Sequence, residues 1–361
     1  MTGDPGPHAS DLLAWYDRHA RSLPWRIAPR RSKAGDRQDP YKVWLSEIML
    51  QQTTVAAVIP YFTNFLVRWP SVADLAVASD DDVRSAWAGL GYYRRAANLH
   101  ACARVVSSDH DGEFPRTAAA LNNLPGIGDY TSAAIASIAF GEAVAVVDGN
   151  VERVFTRLHR LGTPMPKVKR EVAQKVGALV PTDRPGDFAQ ATMDLGATIC
   201  TPKNPTCSLC PWNKNCAAFE AGDMEKYPVK APKKAKPRRF GSALVRIRKS
   251  DGAVWCETRP DEGLLPNMTQ VSTTDWVKAE TPPALGDPYP DAEHIGAIEH
   301  VFTHFALTLQ VYRQSEDGPA SSVEGWWSPP ERVAQEAWPT VMVKALKLAL
   351  PELSTQIRSK K

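Results

Sequence analysis

Four cysteines, Cys200, Cys207, Cys210 and Cys216, crowd into 17 of the chain's 361 residues. Their spacing, C-x6-C-x2-C-x5-C, lets four thiolates surround one metal centre. A C-x2-C pair suits zinc, and four Cys without His equally suit a [4Fe–4S] cluster. Ligand chemistry alone leaves both open. Such a centre need not be catalytic, because it can simply fix a loop. Cys102 and Cys256 stand apart and read as small buried hydrophobes.

Two carboxylates also invite attention. Glu47 lies in Val43-Trp44-Leu45-Ser46-Glu47-Ile48-Met49-Leu50-Gln51-Gln52. On a helix its neighbours at i−4, i−3 and i+3 are Val43, Trp44 and Leu50. A carboxyl on that face is desolvated, which raises its pKa and suits a proton donor. Taken alone, it reads first as a buried structural Glu. Asp148 follows the apolar run Val144–Val147 and precedes a helical pattern starting at Val151, the position of an N-cap. One protonated and one ionised carboxyl are the pair used in glycosidic bond cleavage.

Asp148 lies 22 residues after Gly126, in Leu124-Pro125-Gly126-Ile127-Gly128-Asp129-Tyr130-Thr131. Pro125 ends one helix. Gly126 and Gly128 permit a tight hairpin, and an apolar helix over Ser132–Phe140 follows. Free N–H groups at its start can receive a phosphate. This is the layout of a helix–hairpin–helix, a clamp on the DNA backbone that ignores sequence. Joined to the two carboxylates, it points to N-glycosidic cleavage of a nucleotide flipped out of the duplex.

These residues must be held by a largely helical segment. From about 11 to 220, apolar positions recur at helical spacing, as in Val151, Val154, Phe155 and Leu158. Between Lys226 and Arg239 the chain is basic, carries three prolines and has no acid, as in an extended linker. After Phe240 strands are expected at 243–247 and 305–311, with a hairpin turn at Asp251-Gly252. A helix interrupted near Pro339 follows. The division predicted is a disordered N-terminus at 1–10, a helical domain at 11–222, a linker at 223–239, an α+β domain at 240–355 and a tail at 356–361. Residues 1–239 carry 31 basic and 24 acidic side chains, and residues 240–361 carry 12 and 16. A basic first part fits a polyanion partner. With 43% hydrophobic and 23% charged residues, the composition is that of a folded globular chain. No apolar run reaches the roughly 18 residues of a membrane helix, and Met1–Ser10 has no apolar signal core. The expectation is a cytoplasmic, DNA-associated monomer.

The hairpin, its downstream Asp and the cysteine spacing resemble the endonuclease III superfamily of DNA glycosylases. Leu23-Pro24-Trp25-Arg26, Ser46–Thr53, Gly89-Leu90-Gly91-Tyr92-Tyr93 and Met193-Asp194-Leu195-Gly196-Ala197 are similar to the MutY family within it. The resemblance implies a mainly α helix–hairpin–helix glycosylase fold with a [4Fe–4S] loop, followed by an α+β Nudix-like domain. It also implies double-stranded DNA with A:8-oxoguanine or A:G mispairs as partner. Glu47 would protonate adenine, and Asp148 would stabilise the sugar cation with support from Asn150 and Tyr130. Trp25, Arg26 and Asp194 would line the adenine pocket. Gln52 would wedge into the stack, and Thr53, Leu90 and Tyr92 would contact 8-oxoguanine. Gly126, Ile127, Gly128 and Thr131 would bind the backbone, and Cys200, Cys207, Cys210 and Cys216 would hold the cluster. In the second domain Phe302, Thr303 and His304 would probe 8-oxoguanine. Strand-cutting relatives carry Lys where this chain has Tyr130, and a phenol forms no Schiff base, so a monofunctional enzyme is expected. The stretch after Gly263-Leu264-Leu265 departs from the family pattern, and no Glu-rich helix of the catalytic Nudix type is present. The alternatives are a bifunctional endonuclease III-like lyase and a non-catalytic DNA-damage-binding iron–sulfur protein.

Overall fold

A computed structural model describes residues 6–232, 235–260, 262–266, 268–283, 288–316 and 324–353. The chain forms two compact units, Met1–Pro232 and Lys233–Lys361.

The first unit is helical around one core that includes Trp44, Trp87, Phe62, Phe65, Phe155, Phe188 and Trp212, all essentially without solvent exposure. Its central element is the Pro185–Thr198 helix, started by Pro185 in the first turn and buried from Pro185 through Gly196. It packs against the helices Ala9–His19 and Gly149–Leu158 and the Ala136–Phe140 segment. Two glycines allow these approaches. A Cβ on Gly186 would stand 2.7 Å from the Ser137 carbonyl, and one on Gly196 would stand 2.7 Å from Asn150 Cβ.

Each helix that presents a carboxylate has its own start signal. Asp39 accepts from the Tyr41 N–H, and Pro40 occupies the first turn of the Pro40–Leu50 helix. Asp148 accepts from the Val151 N–H to start Gly149–Leu158, on which Val151, Val154, Phe155 and Leu158 face the core. The hairpin lies between the Ala118–Leu121 and Asp129–Ile135 helices. The first helix stops at Leu121, four residues before Pro125. The helix expected over 132–140 begins at Asp129 and widens to a π-helix over Ala136–Phe140. Left-handed Gly141 (φ 76°) ends it. Such widened turns cluster at functional sites, and Ile138 within this one lines the cavity described below.

Two expectations about flanking segments need correction. Helix begins at Ala9, and the His8 carbonyl accepts from Trp212 Nε1 at 2.9 Å, so order reaches into the 1–10 stretch. Residues 1–5 lie outside the described residues. The basic linker is fastened at its start. Met224–Lys226 is a 3-10 turn, the Met165 N–H donates to the Val229 carbonyl, and Arg157 Nε donates to the Tyr227 carbonyl. Its other end, from Arg238, is already strand.

The second unit is a twisted sheet in the order Thr269–Gln270, Val254–Thr258, Arg238–Arg248, Ala306–Glu316, Glu293–Val301. Arg238–Arg248 runs parallel to Ala306–Glu316, and its other pairings are antiparallel. The Asp251-Gly252 turn closes with Gly252 N–H donating to the Arg248 carbonyl. The Thr340–Ala349 helix buries Val341, Met342, Ala345 and Leu346 in the core of this unit. Pro339 precedes that helix and separates it from Pro330–Val333. In the atypical stretch Gly263 (φ 89°) and Leu265 (φ 57°) turn the backbone left-handed. The tail from 354 lies outside the described residues.

Replacing Gly186 by Ala drives a methyl into the Ser137–Ile138 backbone, where no side chain can yield. Overpacking of this kind costs about 1–3 kcal/mol. Urea unfolding of Gly186→Ala should show a lower midpoint at an unchanged slope, and an unchanged midpoint would refute the tight crossing.

Candidate active site

One cavity of about 640 Å³ in the first unit is lined by Trp25, Arg26, Glu47, Gln52, Thr53, Tyr130, Asp148 and Asn150, among others. That is room for a small ligand such as a base. The two carboxylates, 101 residues apart in sequence, therefore face one space.

Glu47 is buried on the Pro40–Leu50 helix. The Tyr130 hydroxyl donates to its Oε2 at 2.8 Å. Burial lifts the Glu47 pKa from its ordinary 4.5 to about 7. The Tyr130 hydrogen bond and Arg26 pull it down, and Asp148 pushes it up. The desolvated face expected from Val43, Trp44 and Leu50 is thus present. Tyr130 is itself held well above its ordinary pKa by burial and by Glu47. It keeps its proton and acts as a donor.

Asp148 sits in a different setting. Its Oδ1 accepts the Val151 N–H at 2.7 Å, and its Oδ2 accepts from Asn150 Nδ2 at 2.8 Å. A helix N-terminus and two donors suit an anion. Arg153 extends the arrangement. It donates to Asn150 Oδ1 at 2.8 Å, to the Gly196 carbonyl at 2.7 Å and to the Cys200 carbonyl at 2.8 Å.

Trp25 and Arg26 line the cavity. Asp194 does not, and here the expectation is corrected. Asp194 is completely buried behind Arg26, accepting from Arg26 Nη1 at 2.8 Å and from Arg21 Nε at 2.6 Å. Its neighbours on the same helix, Gln190 and Met193, line the cavity instead, while the Asp194 carboxylate is taken up by the two arginines. Leu90 is corrected likewise. Its side chain is buried in the core, and its carbonyl accepts from Arg95. Gln52 and Tyr92 are exposed and both left-handed, with φ of 58° and 50°.

In the hairpin, Gly126 has φ 74°, and a Cβ there would meet Asn98 Cβ at 2.6 Å. The side chains of Ile127 and Thr131 are buried, and Thr131 Oγ1 accepts from Gln51 Nε2. The Ile127 N–H already donates to the Leu124 carbonyl at 3.2 Å, and Thr131, in the first turn of its helix, can offer a phosphate only its main-chain N–H. Helix geometry leaves such groups free in the first turn.

Cys200, Cys207, Cys210 and Cys216 line one small cavity with Arg157, Leu195 and Trp212. Buried Arg157 donates to Cys200 Sγ at 3.3 Å and to the carbonyls of Thr201 and Pro202. Trp212 packs edge-on against Phe155.

In the second unit, Phe302, Thr303 and His304 form the turn between Glu293–Val301 and Ala306–Glu316. The Phe302 N–H donates to the Phe305 carbonyl at 2.8 Å. Phe302 packs on Phe305 and His300, while Thr303 and His304 are exposed.

Sequence reasoning missed Arg21, Gln190, Glu152 and Lys169 in the cavity wall, and Arg95 and Arg153 behind it. Lys169 pairs with Glu152 at 3.0 Å. An isolated Arg or Lys on a helix carries no local signature, and long-range acceptors such as carbonyls leave none in sequence.

Residues 45–181 match the HhH-GPD superfamily of base excision DNA repair proteins, and residues 243–348 match the NUDIX domain. An adenine DNA glycosylase of Homo sapiens is 37% identical over 93% of this chain and 73% of its own. One of Mycobacterium tuberculosis is 43% identical over 65% of this chain and 73% of its own. Among solved structures, a thermostable thymine-DNA glycosylase is 31% identical with a TM-score of 0.52, covering 59% of this chain and 95% of its own. Identity of this extent, carried from the helical unit into the second one, marks common descent: the chain belongs to the MutY family of adenine DNA glycosylases.

Proposed function

We propose that this chain hydrolyses the N-glycosidic bond of an adenine flipped from duplex DNA, paired there with 8-oxoguanine or guanine, and leaves an abasic site. The observation that carries the reading is the pairing, across one cavity, of a carboxyl with its pKa near 7 and a carboxylate held by two donors. Glu47 gives its proton to N7 of the adenine. The C1′–N9 bond breaks with its electron pair going to N9. Asp148 faces the cation left on the sugar, Asn150 fixes its orientation, and water adds at C1′, returning a proton to Glu47. Arg26, held by Asp194, shapes the base pocket with Trp25. Gln52, Thr53 and Tyr92 address the duplex and the opposing base. In the second unit, taken by itself, the exposed Thr303 and His304 offer polar groups suited to 8-oxoguanine.

The four cysteines fit a [4Fe–4S] cluster. Their thiols line one space with Arg157, which donates to Cys200 Sγ. When bound, the cluster supplies cross-links that pin the 200–216 loop. Arg153 and Arg157 tie that loop's main chain to the Asp148 helix.

A second reading, strand cleavage by a lyase, is favoured by one observation: the amine of Lys169 lines the cavity. That amine is engaged by the Glu152 carboxylate at 3.0 Å, and the trapping experiment below decides whether it reacts.

Glu47→Gln should lower single-turnover adenine release by about 10²-fold or more with duplex binding retained. In the parent, release should fall as pH rises through about 7. The folded chain keeps the Glu47 proton up to about pH 7, and the unfolded chain loses it near 4.5. Stability therefore declines between those values, by about 3 kcal/mol. Glu47→Gln should remove that slope in pH-dependent unfolding, and unimpaired release by the variant would sink the assignment. Duplex with one A:8-oxoguanine pair should be cut only after alkali, and borohydride should trap no adduct. A trapped adduct that vanishes in Lys169→Ala would establish the lyase instead. Cys207→Ser should lose iron and acid-labile sulfide together, whereas stoichiometric zinc in the parent without sulfide would refute the cluster.

A further inference from the structure

Arg95, on the Arg94–Asp109 helix, has no part in the chemistry described above. Its guanidinium is nevertheless surrounded by acceptors from two separate loops. Nη1 lies 3.0, 2.9 and 2.7 Å from the carbonyls of Ile48, Met49 and Gln51. Nη2 lies 3.2 Å from Thr53 Oγ1, 3.2 Å from the Leu90 carbonyl and 3.1 Å from the Gly91 carbonyl. The planar group also lies over the rings of Trp87 and Tyr92, at 5.2 and 5.6 Å.

Three of these acceptors close the Pro40–Leu50 helix, whose last carbonyls have no partner within the helix. A cation there also answers the helix dipole. The other three acceptors fix Thr53 and the Leu90-Gly91 turn. Each loop contains a non-glycine residue in left-handed conformation, Gln52 and Tyr92. Such conformations persist only when the surroundings over-determine them. The two residues are also exposed, so nothing packed above them supplies that constraint.

We propose that Arg95 is a positioning residue that locks the Gln51–Thr53 and Leu90–Tyr92 loops in one fixed relation, and so sets how sharply the protein discriminates a mispair from a normal pair. The inference rests on the reading that these loops meet the duplex. Fixed loops bind without losing freedom on contact, and the benefit goes to the partner that matches their shape. Lysine cannot replace arginine here, because one ammonium cannot span acceptors on two loops.

The test uses the full chain with Arg95→Lys and Arg95→Met. Affinity for a duplex with one A:8-oxoguanine pair is compared with that for the same duplex carrying A:T. Preference for the mispair should fall about tenfold in Arg95→Lys, with release at saturating enzyme lowered less than about threefold. The pH midpoint of release should stay in place, because Arg95 is not among the groups acting on Glu47. Hydrogen exchange in the free protein should quicken at 51–53 and 90–92 and stay unchanged in the Pro185–Thr198 helix. Preference kept within about twofold in a folded variant, or exchange that rises everywhere alike, overturns the proposal. A shift of the pH midpoint also overturns it, placing Arg95 in the setting of Glu47 instead. If Arg95→Met fails to fold, Arg95→Lys still decides. If the parent releases no adenine from any duplex, the functional reading fails, while the exchange comparison still judges the clamp.

Discussion

A carboxylic acid kept away from water governs the helical unit. Charging Glu47 where it stands means ionising a group enclosed by the helix that carries it, Tyr130 and the cavity wall, so the proton stays to about pH 7. Everything nearby tunes that one penalty without abolishing it. Tyr130 supplies a donor but is too buried to give up its own proton. Arg26 supplies a positive charge, but Asp194 binds that guanidinium from behind and moderates it. Remove the burial and Glu47 becomes an ordinary surface acid with nothing to donate at neutral pH.

The second carboxylate is held by opposite means. Asp148 gains hydrogen bonds and a helix N-terminus where Glu47 gains only one donor and loses solvent. A ladder of contacts then runs from Asp148 through Asn150 and Arg153 to the Cys200 carbonyl. Gly196 makes that ladder possible, since a side chain there would occupy the space of Asn150 Cβ. The cysteine loop and the site are thus mechanically continuous through Arg153, with Arg157 of the same helix holding the loop beside it.

Much of this was legible in sequence, for reasons that can be named. Glu47 was found because helical spacing put apolar residues around it, and Asp148 because an Asp ahead of a helix is a recognisable cap. The hairpin and the cysteine loop were readable because their spacing is itself the geometry. Roles assigned to Asp194, Leu90 and Ile127 fared worse. A motif shows that a residue lies near a site, but the face on which its side chain emerges depends on how that helix is packed. Asp194 turned inward to two arginines, and Leu90 turned into the core. Arg95 and Arg153 were invisible because most of their partners are main-chain carbonyl oxygens, which every residue has. Similarly, the widening of the helix at Ala136–Phe140 has no sequence mark beyond the glycine that ends it.

The double duty of Asp148 shapes how this protein can change over generations. The same carboxylate starts the Gly149–Leu158 helix and faces the cavity. Asparagine is as good a cap as aspartate, and one first-position transition converts either aspartate codon into an asparagine codon. That step can keep the bond from the Val151 N–H while removing the negative charge, and it sets an amide against the Asn150 Nδ2 donor. Most other changes at this cap would cost the helix about 1 kcal/mol. This one spares most of that cost and takes away the charge that faces the cavity.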